Sequence, residues 1–298
     1  MVPKTDHDGP ILEIDKLSIS FFTRLREVPA VVDFSVSVQP GETVGLVGES
    51  GCGKSMVALG VMQDLSKNGR IFGGSIKFKG RDLQEMSAEE LRDIRGSEIA
   101  MIYQEPMASL NLAMQIGRQL MEVPMIHQDR SDQDACDRAL QVVTDVKLRD
   151  PADLLMEIQR AHKNALLFIS HDLSIVRYFS DRVMVMYLEH VVELGTTDQV
   201  FSPPYHPHTE ALRSSVPIAD TKVKHQHIVL EGDIPLAVNP PPGCPFQTRC
   251  RWKSDVPNGL CEKKVAPVRM LAEGHQVKCH LADDILARME PVIKIAAE

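Results

Sequence analysis

An α/β fold organised around a glycine-rich turn between a strand and a helix is predicted by three observations. The stretch Glu42-Thr43-Val44-Gly45-Leu46-Val47 reads as a buried strand, a glycine-rich turn follows it, and from Ser55 the apolar residues Val57, Val61 and Leu65 recur at helical spacing. Upstream, Leu17, Ile19 and Phe21 alternate along one strand face, and Phe34, Val36 and Val38 do the same before the turn Pro40-Gly41. That pattern predicts an antiparallel edge layer.

The later elements follow in order. The helix from Ser55 is expected to continue until Asn68-Gly69 stops it. Ile76 and Phe78 alternate before Gly80, and Ser87 with Glu90 makes a capping box for a short helix that Gly96 ends. Residues 99–103 read as a short apolar strand leading into Gln104, and residues 114–146 are mainly helical. After Pro151, the residues Leu154, Leu155, Ile158 and Ala161 mark an amphipathic helix that leads to a strand at residues 166–169. Residues 183–187 and 191–194 are spaced for a hairpin. Beyond residue 202 the texture changes: Pro203-Pro204, Pro207, Pro217 and Pro240-Pro241-Pro242 interrupt any long element, and four of the six cysteines follow Gly243. A boundary near residue 202 therefore divides the chain into residues 1–202 and residues 203–298.

Composition narrows the function. Lys and Arg number 33 against 41 Asp and Glu, a net charge of −8, so no basic field exists to gather nucleic acid. No apolar run approaches the roughly 20 residues of a membrane span. The first ten residues lack the apolar core of a secretory signal, which predicts a cytoplasmic chain whose cysteines are thiols or metal ligands.

The segment Gly48-Glu49-Ser50-Gly51-Cys52-Gly53-Lys54-Ser55 fits G-x-x-x-x-G-K-[ST] and lies between a strand and a helix, as its mechanism requires. Glycines let backbone N–H groups curl around phosphate oxygens, and the helix N-terminus adds a favourable dipole. Lys54 can reach the outer phosphates and the Ser55 hydroxyl can ligate Mg²⁺. Cys52 occupies an unconstrained position and reads as a small filler.

The features around this loop resemble those of an ABC-type ATPase, and in particular the ATP-binding subunit of oligopeptide/dipeptide importers. The resemblance rests on Gly48 to Ser55, on Tyr103-Gln104-Glu105-Pro106-Met107-Ala108-Ser109-Leu110-Asn111, and on Ile169-Ser170-His171-Asp172-Leu173. It also takes in Pro204-Tyr205-His206-Pro207-His208-Thr209 and Asn239-Pro240-Pro241-Pro242-Gly243-Cys244-Pro245-Phe246. It implies a P-loop ATPase core with an antiparallel edge layer and a helical subdomain, plus a small cysteine-containing extension. It further implies that Gln104 is the Q-loop glutamine sensing Mg²⁺ and the γ-phosphate, that His171 is the switch histidine, and that Phe21 stacks on adenine. A core role for Phe21 remains open, because Leu17 and Ile19 share its strand face. The implied partners are two permease subunits, a second ATPase subunit and, indirectly, a peptide-binding protein. The implied location is peripheral, on the cytoplasmic side of the inner membrane, with residues 104–119 as the permease contact.

The family pattern is incomplete here. It requires a Leu-Ser-Gly-Gly signature and an apolar strand ending in Asp-Glu, the Asp holding Mg²⁺ through water and the Glu polarising the attacking water. Neither occurs, and the interval from Lys54 to His171 is several dozen residues short of the pattern. An internal deletion near residues 150–155 accounts for this. Asp172 does not replace the missing acid, because Ser170 and His171 interrupt the apolar-to-acid junction and no Glu follows. Impaired hydrolysis and low stability are expected. The alternative function is a nucleotide-binding regulatory or remnant subunit that does not itself power transport. A DNA-repair ATPase of the same type is disfavoured by the net charge of −8.

Cys244, Cys250, Cys261 and Cys279 are spaced C-x5-C-x10-C-x17-C, a poor fit to a generic zinc site. The resemblance implies that these four can hold a 4Fe-4S cluster. Reduced thiols packed in a small core are the other reading.

Overall fold

The computed structural model describes residues 9–24, 26–103, 111, 113–128, 130–146, 151–216, 224–225 and 227–294. In chain order, β1 (Leu12–Phe22) and β2 (Glu27–Val38) precede β3 (Thr43–Gly48) and α1 (Lys54–Val61), and β4 (Gly69–Phe78), β5 (Arg81–Asp82) and α2 (Ala88–Ile94) follow. The helices α3 (Ile116–Gln128), α4 (Asp132–Val146) and α5 (Pro151–His162) lead to β6 (Leu166–Ile169), α6 (Leu173–Phe179), β7 (Arg182–Tyr187) and β8 (His190–Thr196). Short elements complete the chain: α7 (Thr197–Val200), α8 (Pro207–Ser214), β9 (Lys224–His225), α9 (Leu260–Lys263), β10 (Val268–Ala272), β11 (His275–Lys278), α10 (Asp283–Leu286) and β12 (Ile293–Lys294).

The alternating N-terminal pattern forms the expected antiparallel layer, ordered β2-β1-β4-β5. The glycine-loop strand belongs to a second sheet ordered β10-β11-β8-β7-β3-β6, while β12 and β9 pair separately. Within the second sheet β3 runs parallel to both β6 and β7, and β7 turns back antiparallel into β8 as the hairpin spacing predicts. The late strand β11 pairs antiparallel with β8, Gln276 opposite Leu194, so the cysteine-bearing region extends the same sheet that carries the loop.

Strand alternation divides the core between two faces. Val44 and Leu46 of β3 pack with Leu17, Ile19, Val57 and Ile76 under the antiparallel layer. Val47 points the other way, into a cluster with Val183, Val185, Tyr187, Phe246 and Leu281. Complete burial of such side chains stabilises by roughly 1.5–3 kcal/mol each, before entropy is counted.

Two local expectations fail for identifiable reasons. Helix α1 stops at Val61 rather than reaching Leu65, because Gln63 adopts a left-handed φ of 50° and breaks the hydrogen-bond ladder. Residues 99–103 form no strand, and Ile102 and Tyr103 are 75% and 48% exposed. A strand needs a neighbour to take its backbone hydrogen bonds, and among the described residues no strand pairs with residues 99–103 or with the outer edge of β6. For the same reason β6 is the sheet edge, with all four of its residues only half-buried, whereas residues 183–187 of β7 are buried throughout. The capping box is formed as read, Ser87 Oγ accepting from Glu90 N and the Glu90 carboxylate accepting from Ser87 N.

Candidate functional site: the glycine loop and the surfaces that face it

The loop geometry follows from three glycines. Gly48, Gly51 and Gly53 have φ of 149°, 81° and 98°, values that L side chains rarely adopt. Packing adds a second constraint: a Cβ on Gly48 would lie 2.3 Å from the Met186 carbonyl oxygen, and one on Gly53 would lie 2.2 Å from that of Ala30. The turn therefore delivers α1 with Gly53 as its N-cap and with no side chain capping the helix N–H groups. Those donors are left for an anion, which fits the phosphates of a nucleotide.

Lys54 folds back over the loop, its Nζ donating to the carbonyls of Gly48 at 2.8 Å and Glu49 at 2.9 Å. A third contact reaches Cys52 Sγ at 3.5 Å. Cys52 is buried, and burial pushes its thiol up although Lys54 opposes the shift, which suits a filler and not a nucleophile. Ser50, Gly51 and Ser55 are exposed, so the Ser55 hydroxyl is open to a metal ion accompanying the phosphates.

Two acidic residues also lie at the loop. Glu49 is ion-paired with Arg249, whose Nη1 sits 2.7 Å and 3.0 Å from its two carboxylate oxygens. Glu189, in the turn between β7 and β8, is buried near Cys52 with a left-handed φ of 64°. Its backbone carbonyl accepts from Val32 N at 3.0 Å, and burial pushes its carboxyl up to about 7. Sequence reading does not single out either Arg249 or Glu189. Arg249 lies 200 residues from its partner, and no local pattern marks it.

His171 is exposed two residues beyond β6, at the end of the sheet where β3 delivers the loop, since Ile169 pairs with Leu46. Asp172 caps α6, its carboxylate accepting from Ser174 N and Ile175 N. Phe21 is half-buried against the core beneath the antiparallel layer, and a Cβ on Gly69 would approach its ring to 2.8 Å. Gln104 and the adjoining residues to 110 lie outside the described residues, as does most of the segment read as a permease contact before Asn111.

The four late cysteines share the core cluster that also holds Phe246, with Cys250 packed at its edge. Cys244 N donates to the Cys261 carbonyl at 2.8 Å. The Cys244 thiol donates to Cys261 sulfur, which raises the first and lowers the second to about 7. Burial pushes Cys250 to about 12 and Cys279 to about 11. Among the described residues no three His, Cys, Asp or Glu side chains are disposed to hold a metal ion. The arrangement is that of thiols packed in a small core, Cys244, Cys250 and Cys279 held protonated and Cys261 the most acidic of the four, and the cluster expectation gains no assembled site from it.

Comparison with known proteins places this geometry. A model of the ABC transporter family matches residues 31–166, and a model of the oligopeptide/dipeptide transporter C-terminal region matches residues 192–256. The dipeptide transport ATP-binding protein DppD of Escherichia coli is 32% identical over 327 aligned positions, covering 93% of this chain and 98% of the relative. That alignment is longer than the chain itself, so several dozen positions of DppD face no residue here. The oligopeptide transport ATP-binding proteins OppD of Salmonella typhimurium and AppD of Bacillus subtilis are 33% and 32% identical, covering 83% and 92% of this chain and 88% and 97% of theirs. The dimeric structure of the bacterial ABC transporter cassette MJ0796 superposes with a TM-score of 0.54 at 16% identity, covering 62% of this chain and 98% of that one. With the loop built on the parallel strand β3, the antiparallel layer beside it and near full-length likeness to DppD, the chain belongs to the ATP-binding subunit family of peptide-import ABC transporters.

Proposed function

We propose that this chain binds Mg-ATP at residues 48–55 as the energy-coupling subunit of a di- or oligopeptide importer. The observation carrying the proposal is the glycine loop itself: a strained turn, an uncapped helix N-terminus and a lysine above it, in a chain whose curated relatives are named for peptide transport. Lys54 and the loop N–H groups hold the phosphates, and Ser55 takes the metal. His171 at the end of β6 and Gln104 serve the γ-phosphate, and Phe21 serves the base. Two permeases, a second ATPase subunit and a peptide-binding protein complete the assembly, with the chain peripheral on the cytoplasmic side of the inner membrane. No helix among the described residues is long and apolar enough to cross a membrane, which accords with peripheral attachment.

A second reading is favoured by one observation. Among the described residues the sheet ends at β6, and the sequence carries no apolar strand ending in Asp-Glu, the pair that the family resemblance requires for metal and water. The chain then holds nucleotide without useful turnover. Losing one such group commonly costs a factor of about a hundred to a thousand.

Mg-ATP binding and steady-state hydrolysis, measured with and without the partner ATPase subunit, separate the two. Binding lost in Lys54→Ala supports nucleotide binding by the loop, and turnover within about tenfold of an intact relative overturns the second reading. The finer proposal of a 4Fe-4S cluster on Cys244, Cys250, Cys261 and Cys279 rests on the sequence resemblance alone, since no metal-holding group is assembled among the described residues. Iron near four per chain after anaerobic purification is the expected result, and colourless, iron-free protein removes it.

A further inference from the structure

A carboxylate inside a phosphate-binding loop needs an explanation. Glu49 is the second residue of the loop, and a nucleotide triphosphate brings about four negative charges to the N–H groups around it. Left alone, that carboxylate would repel the ligand.

The structure supplies a counter-charge from far along the chain. Phe246 is buried edge-on against Tyr187 at the end of β7, the two rings 5.1 Å apart and at 86°. That contact anchors a tight turn in which Gln247 N donates to the Cys244 carbonyl and Arg249 N to the Phe246 carbonyl. The turn carries the Arg249 side chain, 10% exposed, onto the Glu49 carboxylate, 16% exposed. Arg249 Nε is buried without a hydrogen-bond partner, as are both ring nitrogens of the fully buried His208 in the same pocket. Burial holds His208 well below its ordinary range, so it stays neutral and adds no charge there. The guanidinium thus faces Glu49 and the Tyr187 hydroxyl in a desolvated setting, and Glu49 is the charge it pairs with there, where such a pair is felt strongly.

We infer that Arg249 is a positioning residue of the nucleotide site: supplied by the cysteine-bearing region, it neutralises Glu49 and so allows an acidic residue within the phosphate loop. The inference rests on the proposed nucleotide binding. Through this pair, the packing of the segment between Cys244 and Cys250 bears directly on the affinity of the loop for polyphosphate.

The test is a cycle of Arg249→Gln, Glu49→Gln and the double variant in the full chain, with affinities for Mg-ATP, ADP and AMP by calorimetry and folding checked by circular dichroism. Arg249→Gln leaves an unpaired carboxylate on the loop that takes the phosphates, so ATP affinity falls about tenfold, ADP less and AMP least. Adding Glu49→Gln to it restores most of the loss, and raising the salt concentration shrinks it. Glu49→Gln alone frees a guanidinium beside the loop and tightens ATP severalfold, which keeps the inference testable if Arg249→Gln does not fold. A loss that is equal for ATP, ADP and AMP, or that the second substitution does not rescue, means that Arg249 only supports the fold and overturns the inference. Wild-type binding with unchanged affinity in Arg249→Gln overturns it while leaving nucleotide binding intact. Failure of the wild type to bind ATP removes both.

Discussion

Glu189 combines two local costs in one turn. Its φ of 64° lies in the left-handed region, which disfavours a side chain with a Cβ, and its carboxyl is buried and shifted up to about 7. Between the ordinary carboxylate range and pH 7 the folded chain holds a proton there that the unfolded chain releases, so stability falls as pH rises through that window. The loss is on the order of 3 kcal/mol if the shift is fully expressed. Burial holds His190 at about 4 and His206 at about 3, and these groups change stability in the opposite direction as pH rises, so the Glu189 contribution is read as a difference: in urea unfolding at pH 5 and pH 8, Glu189→Gln should gain on the wild type by about that amount, and equal changes would rule the assignment out. Glu189→Gly removes the backbone strain as well, and should gain about 1 kcal/mol more by relieving the left-handed φ. At the same scale, Lys54→Ala removes the cation over Gly48 and Glu49 and should weaken Mg-ATP by at least tenfold, read by calorimetry. The loop residues were legible because their chemistry is written in eight consecutive positions. Arg249 and Glu189 were not, since each reaches the loop only after β7, β8 and the late turn have packed against it.

The elements show the same division between local and borrowed information. The capping box of α2, the β7–β8 hairpin and the helices α3, α4 and α5 each carry their signals within a few residues, and all form where the sequence places them. Residues 99–103 have the apolar content of a strand yet remain unpaired as a sheet element, because β propensity expresses itself only against a neighbouring strand. Among the described residues β6 has one partner, β3, and its Phe168 and Leu167 are only half-covered by the two core clusters. Hydrogen exchange should register the difference: amides of β6 are expected to exchange at least about a hundredfold faster than those of β7, which is flanked on both sides. Equal protection of the two strands would mean that something outside the described residues covers the edge.

For the whole molecule, the incomplete sheet and the shared core act in opposite directions on unfolding. The loop strand and the cysteine-bearing region are not joined by a mere linker: β11 is hydrogen-bonded to β8, and Val47 packs in one cluster with Phe246, Cys244 and Leu281. A salt bridge ties the same parts, with Arg249 on Glu49 at 2.7 Å. Removing either part would expose the apolar side chains of the other, so both should unfold together in one cooperative transition. The edge at β6 should lower the midpoint of that transition, because its four residues are only half-buried and it has one strand partner among the described residues. A calorimetric scan is therefore expected to show a single peak below about 60 °C, the upper part of the mesophile range. Grafting a family-length segment with its apolar strand between residues 150 and 155 should raise the midpoint by several degrees, because the new strand would give β6 a second partner and residues 99–103 a first. Two separated peaks would show that the cysteine-bearing region folds on its own core, and a graft without effect would show that the edge of β6 is already protected.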